Sequence, residues 1–226
     1  MKFTPVKTPI VAKKLFPNYT WDIATTEKEL YLTFDDGPTP EITNWALDTL
    51  KSYDAKATFF CIGKNVEEHP MIFQNIIKNG HRIGNHTQNH IKGWSTKTTD
   101  YLKEVDDAQF AINATYNSFQ NNYDSKFKNP KSSIIKPFRP PYGQITPHQG
   151  KQLIANGYDI IMWDVLSFDW ELDVSEEKCF ENVVSKSRPG SIVVFHDSVK
   201  ASKNMMYALP KVLDFFSGKG FVFKAI

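Results

Sequence analysis

Two adjacent acids, Asp35 and Asp36, end an apolar run and are followed by the turn signal Gly37-Pro38. Further on, His86 and His90 stand four residues apart. On a helix or in a tight loop that spacing brings both imidazoles to one side, as a metal pair requires. Two neutral imidazoles and one carboxylate make a three-ligand site with an open position, the pattern of catalytic zinc. A structural zinc would want a fourth protein ligand, and neither Cys61 nor Cys179 lies at a matching spacing. Each half has a plainer reading, because Asp-Asp-Gly can simply make a turn and a spaced His pair can simply face solvent.

Three more polar groups tip the balance. Arg139 precedes a rigid Pro140-Pro141 and a Tyr142-Gly143 turn, where a bare arginine would read as a loop brace. Asp169-Trp170 follows an apolar stretch, where an N-cap or surface acid would be the plain reading. His196-Asp197 ends the very apolar run Ile192-Val193-Val194-Phe195. All five clusters fall at the C-terminal ends of predicted strands, where parallel α/β folds place their chemistry.

The elements that must position them follow from pattern and punctuation. Strands are predicted at 30–34, 57–63, 82–84, just before Arg139, and at 158–165, 191–195 and 221–223. Helices are predicted after Thr39-Pro40 as N-cap and first position, at 67–79 with a bend at Pro70, and at 98–117. Others run from Thr146-Pro147 to Gly157, over 173–186 and over 204–216. The polar, lysine-rich stretch 121–133 reads as an exposed loop. Strands alternating with helices imply an α/β fold whose sheet is parallel and curled into a barrel. Residues 1–28, with three prolines and four aromatics, read as an extended arm packing on a single domain over 29–226.

The set Thr33-Phe34-Asp35-Asp36-Gly37, His86-Thr87-Gln88-Asn89-His90, Arg139-Pro140-Pro141-Tyr142-Gly143, Asp169-Trp170 and Val194-Phe195-His196 resembles the five ordered motifs of the polysaccharide deacetylase family. That is the NodB-homology domain, carbohydrate esterase family four. The resemblance implies a distorted (β/α) barrel and metal-dependent removal of N- or O-acetyl groups from a carbohydrate polymer. By position, Asp35 resembles the catalytic base, and Asp36, His86 and His90 the ligands of one divalent ion. Zinc is the first choice, with cobalt, manganese and nickel also suited to such a donor set. Arg139 resembles the residue that orients the base, the Tyr142 N–H the oxyanion donor, and His196 the general acid paired with Asp169. Pro141, Tyr142, Trp170 and Val194 resemble the substrate contacts. Val194 stands where the family usually has leucine, which removes about one methylene of pocket contact.

The chemistry supports these roles. An amide is a poor electrophile with a poor leaving group, so its hydrolysis needs both an activated water and a proton donor. Two other readings compete. A hydrolase of small or cyclic amides would keep the fold and metal but cap the pocket. A non-catalytic carbohydrate-binding descendant would have lost at least one of Asp35, Asp36, His86, His90 or His196, and none is lost.

The bulk numbers agree. A chain of 226 residues suits one α/β domain. A formal charge of +2 favours neither nucleic acid nor a membrane surface as partner. Two cysteines make no disulfide framework and read as core thiols. No stretch reaches the ~18 apolar residues of a membrane span. The first 14 residues lack the apolar core of a signal peptide, so a cytoplasmic location is expected.

Overall fold

A computed structural model describes residues 4–122 and 136–226. Its first half runs α1 (Ile10–Leu15), β1 (Glu29–Asp35), α2 (Ile42–Lys51), β2 (Ala57–Cys61), α3 (Gly63–Glu68), α4 (Pro70–Lys78), β3 (Arg82–Asn85) and α5 (Thr98–Asn122). The second half holds β4 (Lys136–Phe138), α6 (Pro147–Ala155), β5 (Tyr158–Ile160), β6 (Val165–Leu166), α7 (Glu176–Lys186), β7 (Ile192–His196), α8 (Ser202–Ser217) and β8 (Val222–Phe223). The predicted loop 121–133 lies outside the described residues except for Asn121 and Asn122, which end α5.

The strands form one sheet ordered β5-β4-β3-β2-β1-β7-β6, with β8 beside the start of β1, and every pairing between them is parallel. Side chains alternate across it as strand geometry requires. Leu30, Leu32 and Phe34 of β1, with Val193 and Phe195 of β7, face the helices and join the main core. Phe34 stacks on Phe59 with ring centroids 4.8 Å apart. Burying each such side chain contributes roughly 1.5–3 kcal/mol. Tyr31, Phe60 and Ile192 turn the other way and pack with Ile161 inside the barrel. On β1, Asp35 shares the inward side with Tyr31, and on β7 His196 shares it with Ile192.

Several predicted boundaries need correction: the strand predicted at 57–63 ends at Cys61 and Gly63 opens α3, and the helix predicted at 98–117 runs on to Asn122. The strand predicted at 158–165 is two strands, β5 and β6, at opposite edges of the sheet. Residues 161–164 cross from one edge to the other, so the sheet is curled almost shut. Helix α2 starts at Ile42, because Glu41 has φ 66° and Thr39 N–H is taken by the Thr43 hydroxyl at 2.8 Å. The helix at 67–79 is broken in two at His69, with Pro70 opening the second piece. Helix α7 begins at Glu176, capped by Ser175. The Thr146 cap of α6 is present as a capping box with Gln149.

The seam left by the crossing is lined by residues near the N-terminus. Lys7 bridges to Val165, Thr20 to Ile161, and Asp22 to Ser191. Asp164, fully buried at the seam, accepts from Lys7 Nζ at 2.9 Å, Lys13 Nζ at 2.6 Å and Ser191 Oγ at 2.6 Å. Both cysteines are free and buried. Among the described residues no helix is long and apolar enough to cross a membrane.

Candidate active site

The end of β1 points Asp35 into the barrel mouth, where its Oδ1 accepts from Arg139 Nη1 at 2.7 Å. Arg139 is wholly buried. With the bond to Asp35, four of its five N–H groups are engaged: the others go to Thr33 Oγ1 at 2.7 Å and to the seam carbonyls of Ile161 (3.1 Å) and Met162 (2.9 Å). Its central carbon also lies 4.1 Å over the Phe60 ring. Burial pulls the guanidinium pKa down, and Asp35 opposes that shift. The arginine is therefore far more than a loop brace: it fixes one rotamer of Asp35 from inside the barrel.

Asp36, one residue on, turns out at φ 81° and faces His86 and His90. The ligand atoms of the three residues all lie within 4.8 Å of one another. Asp36 Oδ1 is 3.7 Å from His86 Nε2 and 3.2 Å from His90 Nε2. That oxygen is buried and has no well-formed hydrogen bond among the described residues. His86 Nδ1 donates to the Arg139 carbonyl at 2.7 Å, and a carbonyl can only accept, so Nε2 carries the lone pair. Burial pushes the His86 pKa down to about 4, which keeps the ring neutral. A buried carboxylate oxygen facing the His86 lone pair and the His90 Nε2 fits a divalent cation. Burial works to raise the Asp36 pKa, but the contact with His90 and the nearby His196 and His86 carry it below the usual carboxylate range.

The histidine pair sits in a tight loop. Thr87 and His90 adopt φ 64° and 55°. The loop carbonyls of Thr87 and Gln88 accept from the first amides of α3, Gly63 and Lys64, at 3.0 and 3.1 Å. From the other side, Glu104 of α5 takes both the Asn89 N–H and its side-chain amide at 2.9 Å. His86 is buried, while the His90 side chain keeps 26% of its surface.

On β7, His196 Nδ1 lies 2.8 Å from Asp169 Oδ1, and its backbone N–H donates to Oδ2 at 2.7 Å. Burial disfavours the imidazolium, but Asp169, Asp36 and Asp35 outweigh it and hold the pKa up at about 9. Trp170 stands edge-on to the His196 ring at 4.7 Å and stacks on Phe168. Across the mouth, Tyr142 takes φ 59° in a 3-10 turn (Pro141–Gly143), is 57% exposed, and lies 4.6 Å from the His90 ring. Pro141 is buried in that turn, and Val194 is buried on the inward side of β7.

Three site residues were missed from sequence. Asp197 is wholly buried, and its carboxylate takes the Gly37 N–H at 3.1 Å and the Thr43 hydroxyl at 2.5 Å. Burial lifts its pKa to about 7. Asn65 donates to the Asp36 carbonyl at 2.7 Å, and Glu104 holds Asn89. Asp197 beside His196 was the one visible hint; the others carry no signature, since they act on backbone groups of distant loops.

The family model described as Polysaccharide deacetylase matches residues 22–161. A peptidoglycan-N-acetylglucosamine deacetylase of Bacillus cereus is 30% identical over 96% of this chain and 96% of its own length. Chitin deacetylase 2 of Saccharomyces cerevisiae is 30% identical over 85% of this chain and 57% of its own length. Among solved structures, the Bc1960 peptidoglycan N-acetylglucosamine deacetylase superposes with a TM-score of 0.82 at 30% identity, covering 97% of this chain and 95% of that one.

Proposed function

This chain belongs to the polysaccharide deacetylase family, and from that premise we propose that it removes N-acetyl groups from peptidoglycan amino sugars with a divalent metal ion, zinc first. The observation that supports this reading best is the convergence of Asp36, His86 and His90 ligand atoms within 4.8 Å, beside the Asp35–Arg139 pair. A cation held by those three residues would acidify a water and polarise the acetyl carbonyl.

The chain's own groups do the rest. Asp35, held by Arg139, takes the proton of the attacking water. The Tyr142 N–H donates to the oxygen that gains charge, a contact of the kind worth roughly 3 kcal/mol. His196, cationic through Asp169, gives its proton to the departing nitrogen. Trp170 and Tyr142 flank the acetyl group from opposite sides. Glycan choice rests on the relatives: the one that matches over nearly its whole length is named for peptidoglycan N-acetylglucosamine. The 57% exposure of Tyr142 favours an open cleft for a polymer over a capped pocket for a small amide.

Acetate release from peptidoglycan and from chitin oligomers, with metal content measured on the same samples, tests this reading. His86→Ala and Asp36→Ala should lose most bound metal together with activity. Asp35→Asn should keep the metal and lose on the order of 10²–10⁴ in kcat. Metal-free Asp35→Asn protein would make Asp35 a ligand instead of a base.

A further inference from the structure

Residues 92–95 flank the site without entering it. Gly93–Ser95 form a 3-10 turn that is held from several sides. The buried Gln149 amide donates to the carbonyls of Gly93 at 2.9 Å and Thr96 at 3.1 Å. Thr96 Oγ1 donates back to the Lys92 carbonyl at 2.8 Å. A Cβ at Gly93 would lie 2.2 Å from the Gln144 carbonyl oxygen, so the turn is pressed against the loop that follows Tyr142. On this fixed support Trp94 leaves 67% of its surface open, while its indole N–H donates to the Ile145 carbonyl at 3.2 Å. An aromatic ring tethered at one edge loses little further freedom when a ligand settles on it.

The turn is continuous with the site. Lys92 Nζ stands 5.1 Å over the Tyr142 ring, and that ring lies 4.6 Å from the ring of His90. A ledge of contacts therefore runs from the Asp36–His86–His90 triad through Tyr142 to Lys92, which leads into the turn that carries Trp94. Resting on the deacetylase reading above, we propose that Trp94 and Lys92 form a subsite for a sugar neighbouring the one that is deacetylated. The electron-rich indole face suits the C–H face of a pyranose ring, and Lys92 offers hydrogen-bond donors to its hydroxyls. The occupant is an acetylated amino-sugar chain: a single sugar seated at the triad would leave Trp94 bare, whereas a chain reaches along the ledge.

The test is calorimetric titration of an N-acetylglucosamine tetramer into the full metal-loaded chain carrying Asp35→Asn, so that the ligand is not consumed. Adding Trp94→Ala should weaken tetramer binding roughly five- to tenfold, the scale of one lost aromatic contact. Adding Trp94→Phe instead should restore most of it, and Lys92→Met, which leaves the turn intact, should weaken binding as well. Equal tetramer affinity with and without the indole overturns the subsite, as does failure of the parent to bind the tetramer. Acetate release by the chain with Asp35 intact reads the deacetylase assignment separately. No release from any glycan overturns that assignment. Release with a tetramer-to-dimer kcat/KM ratio indifferent to Trp94→Ala overturns the subsite alone.

Discussion

At His196 two opposing influences meet on one ring. Burial favours the neutral imidazole; Asp169, Asp36 and Asp35 favour the cation and win, to about 9. If the protonated ring is the acid, the rate must fall as pH rises through its pKa. A cation bound at the triad would cancel the share contributed by Asp36, so the alkaline limb belongs between the ordinary ~6.5 of imidazole and that raised value. Asp169→Asn removes the largest favourable partner and should shift the limb to lower pH. A pH profile of kcat/KM for the two proteins checks this, and an unmoved limb would dissolve the pairing. His196→Ala should lower kcat on the order of 10²–10⁴ while leaving metal content intact.

At the scale of elements, the β1–α2 turn is fitted to β7 through one glycine. A Cβ on Gly37 would fall 2.0 Å from Asp197 Oδ2, and the Gly37 N–H is bonded to the same carboxylate. Gly37→Ala should therefore push the turn off Asp197, displace Asp36 beside it, and cost about 1–3 kcal/mol of stability. Thermal melts and metal titration of the variant test both effects. Much of this layout was legible beforehand. β1 and β7 are buried on both faces, so they read as nearly unbroken apolar runs, and the polar groups at their ends stood out against them. The division of 158–165 was hidden for a similar reason, because Ile161, Met162 and Trp163 at the crossing are as apolar as the strands they join, and Asp164 was the one break at the crossing. Arg139 was found by type, but its seam partners are backbone carbonyls, which every residue possesses. Thr39-Pro40 has the composition of a helix start; the local bond from the Thr39 N–H to the Thr43 hydroxyl and a left-handed Glu41 delay the helix to Ile42.

At the scale of the whole molecule, closure of the barrel is electrostatic as well as apolar. Asp164 is depressed in pKa because Lys13, Ser191 and Lys7 together outweigh its burial. A carboxyl lowered on folding contributes stability in full above its unfolded value, near ~3.9, and that contribution is lost as pH falls through the lower folded value. Acid should thus loosen the seam, and Asp164→Asn should destabilise the fold at neutral pH by about 1–3 kcal/mol. Denaturant melts at pH 7 and pH 3 measure both. The Ile161 and Met162 carbonyls of that seam are the ones that hold Arg139. A loosened seam should accordingly reduce kcat through Asp35, even though Asp164 lies in no contact with substrate.

The same seam imposes an order of events on the growing chain. Lys7 and Lys13 wait for Asp164, 157 and 151 positions downstream. At ~5–20 residues per second of synthesis, that is a delay of roughly 8–30 s. Until then the N-terminal segment has no seam to dock on, and closing so long a loop is slow compared with the local strand–helix contacts. Lys7 and Lys13 thus meet their partner only after most of the strands between them have been made, and the seam whose carbonyls hold Arg139 closes late.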